Sequence, residues 1–485
     1  MPGAATIVRS AAWIVAWDAG AERHVYLRNG DLAFDETGIL QVGGRYEGPA
    51  AAEIDGRDRL IVPGLVNIHT HPTSEPLRKG LTDETRSPNF WHSSLYEFLP
   101  VFANDRDGAI AAMQVAMAEL LMSGVTTVAD LSVPFDGWLD TLAESGIRGV
   151  AAPMFRDARW YVAEGKRVEY DWDEQAGREA FAEAQRIIEL ARQHPSGRLS
   201  GMVCPAQVDT CTPDLIRDAS DYAKERQLPF QIHAAQSVNE FHEMVRRHGV
   251  TPIEWLHDVG GLGPHAIVGH GIFLDHHPWL HWTSREDLNI LRDTGTTVAH
   301  CPTVFMRRGI SLRSFGDYRR AGVNLGIGTD TYPHNFLEEM RSAGNFARVA
   351  METVDDLETR DIFEAATIGG AKALGRDDIG RLAPGAKADF VLVDTKDPSM
   401  MPLREPLRSL IFVAADRAVR DVFVEGRQVV ADGRPLHVDL QAASEALEAA
   451  QRRSMEKVPG LDWDGRTAEQ LSPMVLPTVE RLDQA

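Results

Sequence analysis

Between residues 61 and 329 the chain alternates between two kinds of hydrophobic pattern. Short, uniformly apolar runs fall at 61–71, 125–131, 147–154, 199–205, 229–233, 266–271, 296–300 and 323–329. Runs of this length without polar alternation fit strands buried on both faces. Most are separated by stretches in which apolar residues recur every three or four positions, as in 107–122, 173–193, 213–227 and 238–248. That spacing predicts amphipathic helices. Eight strands alternating with helices predict an α/β fold, the (β/α)8 TIM barrel.

The ends of the chain read differently. Thr6–Val8, Trp13–Trp17, His24–Arg28 and Gly38–Gly43 are β-branched or aromatic runs broken by Gly and Asp, and they predict short strands. Ala388–Asp394 and Arg420–Val430 repeat the pattern near the other end. Residues 1–62 are too few for a full sandwich, so they are expected to join 386–435 in one small β-sandwich. This leaves 63–385 for the barrel and 436–485 for a C-terminal helix, at 439–456, followed by an extended tail. Two long loops, 72–99 and 273–287, are expected over the barrel mouth, where such loops shape pockets. Their aromatic residues suit an apolar or aromatic substrate, or else pack the loops themselves. His276, His277 and His281 have no cysteine or carboxylate in a ligand pattern beside them, so no second metal site is expected there.

The candidate chemistry sits at the ends of the apolar runs. His69 and His71 are two residues apart, and on a strand such side chains share a face. His233, His270 and Asp330 each end a later run. Active sites of TIM barrels lie at the strand C-termini, where all five residues fall. Three histidines and one carboxylate make a metal site with an open position for water. Zinc is the default divalent ion, with iron, cobalt or manganese as alternatives for an imidazole-rich site.

Taken in order, the motifs are Pro63-Gly-Leu-Val-Asn-Ile-His-Thr-His71, His233, Gly269-His-Gly271, Ala299-His-Cys-Pro302, Gly328-Thr-Asp330, Ile379-Gly-Arg-Leu-Ala-Pro-Gly-Ala-Lys-Ala-Asp389 and Val422-Phe-Val-Glu-Gly426. In these the sequence resembles the metal-dependent amidohydrolase superfamily, in the mononuclear branch of cytosine, guanine and s-triazine deaminases and of phenylurea and carbamate hydrolases. The resemblance covers nearly the whole chain. It implies one ion held by His69, His71, His233 and Asp330, because the fourth run has no lysine and Asp209 lies beyond the position of a bridging ligand. It also implies that Asp330 accepts a proton from water and that His270 hydrogen-bonds the substrate atom gaining negative charge.

Two departures from the family pattern bear on the substrate. Deaminases of this branch carry glutamate three residues after the third metal histidine, where this chain has Gln236. Glutamine exchanges hydrogen bonds but cannot carry a proton. Val304-Phe305 replaces a polar Ser-Asn pair after the seventh run, making the wall more apolar. Both favour hydrolysis of a C–N bond in a urea, carbamate or amide with an apolar or aryl substituent. The alternative is an aminohydrolase or chlorohydrolase acting on a purine, pyrimidine or s-triazine ring. A barrel that has lost catalysis is disfavoured by the intact ligand set. Trp91, His92, His300 and Phe305 are the candidate pocket residues.

Composition narrows the partners. The chain has 485 residues, 44% hydrophobic and 25% charged, with a net charge of −21, which argues against nucleic acid or an anionic membrane. A small-molecule substrate and a homo-oligomer are expected. Three cysteines without metal or disulfide spacing read as buried thiols of a cytoplasmic protein. No apolar run is long enough to span a bilayer, and Met-Pro-Gly-Ala-Ala-Thr lacks the features of a signal peptide.

Overall fold

The structure, a computed structural model, describes residues 5–85, 87–310 and 315–479. The expectations for the first four residues and for the last six of the tail lie outside the described residues.

Eight parallel strands form the barrel as two arcs. The first arc comprises Leu65–Thr70, Val125–Ser132, Arg148–Phe155 and a fourth strand broken into Leu199–Gly201 and Cys204–Pro205. The second comprises Phe230–Ala234, Ala266–His270, Thr297–His300 and Leu325–Ile327. Isolated parallel bridges close both seams: Val203 with Phe230 and Gln207 with His233 on one side, Thr70 with Asp330 on the other. Two of the residues expected to hold a metal therefore sit where the arcs meet. Nearly every residue of these strands is buried, as expected of a sheet covered by helices.

The helices Arg106–Met122, Glu174–Arg192, Pro213–Arg226 and Val238–His248 lie within one residue of the periodicity. Each begins at a side-chain cap: Asp105, Asp173, Thr212 and Ser237 accept from the backbone N–H of Gly108, Ala176, Leu215 and Glu240. Such caps satisfy first-turn donors that have no partner within the helix.

Both chain ends build the small β-sandwich. One sheet of seven strands joins Trp13–Asp18, Arg23–Leu27 and Arg59–Pro63 to Phe390–Asp394, Val419–Val424, Arg427–Ala431 and Arg434–Pro435. The join is antiparallel, with Phe390 opposite Pro63 and Leu392 opposite Ile61. The facing sheet holds Ala5–Ala11, Gly30–Asp35, Gly38–Val42 and Ala50–Asp55. Phe34, Phe390 and Phe423 fill the space between the sheets, with ring centroids 4.6–5.9 Å apart. Buried Arg148, at the start of the third barrel strand, reaches Asp389 and Glu425 of the sandwich at 3.1–3.2 Å.

Three further features frame the barrel mouth. A hairpin, Ala158–Ala163 with Arg167–Trp172, follows the third strand. The C-terminal helix runs Leu440–Leu461, five residues past its expected end, and packs on the helix Arg106–Met122. From it Gln451 donates to the carbonyls of Leu77 and Lys79 at 2.6 and 3.0 Å, so it anchors the loop after the first strand. The tail is not simply extended: Ala468–Leu471 forms a capped helical turn, and Arg466 joins Asp462 to Glu97 at 2.8 Å. Among the described residues no helix is long and apolar enough to cross a membrane.

Candidate metal centre

The first strand delivers His69 near its end and His71 just beyond it, and the strand ends of the other arc deliver His233, His270 and Asp330. Side chains two apart share a face, and here the same rule brings a supporting residue. Gln231 lies two residues before His233, and its amide oxygen accepts from Nδ1 of His69 while its nitrogen donates to the Ile68 carbonyl at 2.9 Å. Nδ1 of His71 donates to the Leu131 carbonyl at 2.8 Å, and Nδ1 of His233 to that of Ala206 at 2.6 Å. These partners put the ring proton of all three histidines on Nδ1 and turn each Nε2 lone pair inward.

The inward atoms converge. Nε2 of His71 lies 3.2 Å from Nε2 of His233, and Oδ1 of Asp330 lies 3.4 Å from His71 and 3.5 Å from His69. Donors bound to one tetrahedral ion at the usual N and O distances lie roughly 3.2–3.6 Å apart. Nε2 of His69 is buried without a hydrogen-bond partner, which an ion would supply. Burial holds His71 down to about 4 and His233 well below its ordinary value, so both rings are neutral at neutral pH. Burial alone would raise the Asp330 carboxyl, but the close rings of His270, His69 and His71 lower it by more, and the net shift is downward. The donor set fits a divalent transition metal. Among the described residues, the groups of His, Cys, Asp and Glu able to hold an ion all lie here.

The backbone is bent to reach this geometry. His270 and Asp330 have φ of 84° and 56°, in a region that costs energy for side chains other than glycine and gathers at functional sites. Gly328 lets the last strand close on the first, because a Cβ there would lie 2.5 Å from Cβ of His69.

The centre opens into a cavity of about 230 Å³ whose wall includes His71, His233, Gln236, His270, Phe305 and Asp330. That is below the roughly 300–1,000 Å³ of most ligand pockets, and it suits a ring-sized group. His270 places Nε2 3.8 Å from Oδ2 of Asp330. Its Nδ1 is buried without a partner.

The amidohydrolase family profile matches residues 60–429. This chain belongs to the amidohydrolase family. It is 28% identical over 430 residues to a 5′-deoxyadenosine deaminase of Methanothermobacter thermautotrophicus, covering 87% of this chain and 94% of the relative. It is 29% identical over 437 residues to a 5-methylthioadenosine/S-adenosylhomocysteine deaminase of Halobacterium salinarum, covering 88% and 94%. An adenosine deaminase from Xanthomonas campestris, solved with bound zinc, superposes with a TM-score of 0.77 at 24% identity over 94% of this chain and 98% of that one. The atrazine chlorohydrolase of Arthrobacter aurescens TC1, complexed with zinc, gives 0.73 at 21% identity over 92% and 100%. The fold these structures share is the amidohydrolase barrel, and the family makes the chain a metal-dependent C–N hydrolase.

Some of the expected pocket residues lie elsewhere. Phe305 lines the cavity, edge-on to His270 with ring centroids 4.9 Å apart. Trp91 and His92 do not: both have φ above 50° in a turn that directs them outward, and Trp91 is 48% exposed. His300 is buried behind the wall, edge-on to Phe315. The 273–287 loop packs rather than lines: Phe273 and Leu280 join Phe241, Ile272 and Phe305 in a small apolar cluster. Glu75, Arg78, Arg308 and Tyr332 line the cavity, and only the fold brings them there. Gln231 was detectable, since it stands at i−2 from His233.

The bond from His69 to Gln231 gives a direct test. Gln231→Leu removes the acceptor that orients the ring, and such losses lower metal affinity by about 10- to 100-fold. Chelator competition on the folded variant measures it, and wild-type affinity would show that Gln231 does not orient His69.

Proposed function

We propose that the chain is a mononuclear, zinc-dependent aminohydrolase that removes an exocyclic amino group from a purine-like ring. The observation that carries this reading is the alignment, along most of both chains, with relatives named 5′-deoxyadenosine deaminase and 5-methylthioadenosine/S-adenosylhomocysteine deaminase. It puts first the ring chemistry that Gln236 alone would put second.

His69, His71, His233 and Asp330 would hold the ion. When bound, such an ion supplies Lewis acidity and brings the pKa of water from about 15.7 to about 7. Asp330 accepts the proton of the attacking water on its carboxylate and hands it to the leaving amine. Burial holds His270 down to about 3, so the ring is neutral and donates a single N–H toward the substrate atom on which charge develops. Gln236, buried at the cavity wall, orients the substrate without protonating it. Among the described residues lining the cavity, the carboxylates are Asp330 and Glu75.

A second reading, C–N hydrolysis of a urea, carbamate or amide, is favoured by one observation: Gln236 stands where ring deamination needs an acid. A substrate panel separates the two. The zinc-loaded protein is expected to release ammonia from amino-purine nucleosides faster than aryl-amine from phenylureas and carbamates. Efficient amine release with inert amino-purines would overturn the proposal in favour of the second reading.

A further inference from the structure

The cavity has a cationic wall. Arg78, Arg307 and Arg308 all line it. Arg78 is paired with Glu75 and donates to the Leu99 carbonyl at 3.0 Å. Arg307 lies 3.8 Å from Asp83 and 4.3 Å over the Tyr332 ring. Arg308 is different. Its Nη1 donates to the Thr82 carbonyl at 3.0 Å and the Thr85 hydroxyl at 3.4 Å. These neutral acceptors fix the guanidinium, and among the described residues no carboxylate lies within ion-pair distance of it; the charges of Glu75 and Asp83 reach it only from farther off. The three guanidiniums thus have two carboxylates paired among them, Glu75 with Arg78 and Asp83 with Arg307, in a chain of net charge −21.

A partly buried cation without a carboxylate in direct contact is costly to hold. Its remaining N–H groups present a planar fork that matches a carboxylate. We infer that Arg308 forms an anion subsite, and that the substrate carries a carboxylate held there while its scissile C–N bond faces the metal ligands. The identity of that bond rests on the proposed function, but the subsite does not.

The test uses two matched ligand pairs on the zinc-loaded full chain. One pair is an adenosine thioether ending in a carboxylate and its carboxamide of equal length. The other is a para-carboxy phenylurea and its carboxamide. Affinities are read by calorimetry and turnover separately. The wild type is expected to prefer the carboxylate member of at least one pair by about 10- to 100-fold, the scale of a charge-assisted hydrogen-bonded pair. Arg308→Gln should reduce that ratio to about threefold or less, and Arg308→Lys should retain part of it, since lysine keeps the charge but not the fork. Circular dichroism and zinc content control for folding. If neither pair shows a carboxylate preference, or the preference survives in Arg308→Gln, the inference is overturned. If only the phenylurea pair shows it, with turnover, the subsite stands and the purine reading falls.

Discussion

Asp330→Asn is expected to lower turnover by at least about 100-fold, the range of a lost acid–base group, and to weaken metal binding as well. The substitution removes the charge and the proton acceptor while keeping the shape. It should not unfold the turn, because Asp330 has φ of 56°, a conformation that Asn tolerates as readily as Asp. The two roles of the residue can be separated by metal titration. If Asp330 served only as a ligand, excess zinc would restore turnover to a metal-filled variant. If it also accepts the proton from water, the filled variant stays slow. Steady-state rates at rising zinc, with elemental analysis of the same samples, decide this. Near-normal turnover in the filled variant would remove Asp330 from the acid–base role. The wild type should hold close to one equivalent of metal per chain, and two equivalents, both needed for activity, would overturn the single-ion reading.

The site was legible because its residues stand at the ends of apolar runs. His69 and His71 follow from a spacing of two on a strand, and His233, His270 and Asp330 each end one. What the pattern could not show is which side chain of a loop turns inward. The loop after the first strand carries Trp91, His92, Tyr96 and Phe98. The structure buries Tyr96 and Phe98 and exposes the other two, because a left-handed turn at 91 and 92 reverses the chain. The sandwich was legible in outline but not in every strand: Arg59–Pro63 was hidden in the run 61–71, and Gly30–Asp35, Ala50–Asp55 and Arg434–Pro435 were missing. Ala50–Asp55 begins with three alanines, a poor strand sequence by propensity, and forms a strand by pairing with Ala5–Ala11. Gly30–Asp35 is disguised by Asp31, which instead accepts from the backbone of Ser10 and Tyr46 and from Arg9 at 2.8–2.9 Å. Glu75 and Arg308 are far apart in sequence and meet only when the loops fold over the cavity, so no spacing rule could have joined them.

Gln236→Glu is expected to raise ammonia release from amino-purines by about 10- to 100-fold, the lower part of the range for a positioned acid, and to leave amine release from phenylureas within about threefold. The reason lies in the surroundings of residue 236. Its backbone N–H, with that of Ala235, points at the buried carboxylate of Glu240, at 3.4 and 2.5 Å. Burial, and then the charge of Asp209, raises the Glu240 carboxyl well above its ordinary value. Asp209 is itself raised by burial, against bonds from Tyr170 and Trp160. A further carboxyl placed at 236 meets the same burial beside the same two carboxyl groups, so its pKa too should be raised. A carboxylic acid at the cavity wall is what protonation of a ring nitrogen requires. Carbonyl hydrolysis gains little from it, because Asp330 already returns a proton to the leaving amine. The added carboxyl should lower stability, and thermal melts of apo and zinc-loaded protein separate that loss from the kinetic gain. Rates for both substrate classes, measured on metal-filled wild type and variant, carry the test. A variant that speeds urea cleavage while deamination stays flat would refute the assignment of position 236 as the site of the missing ring acid.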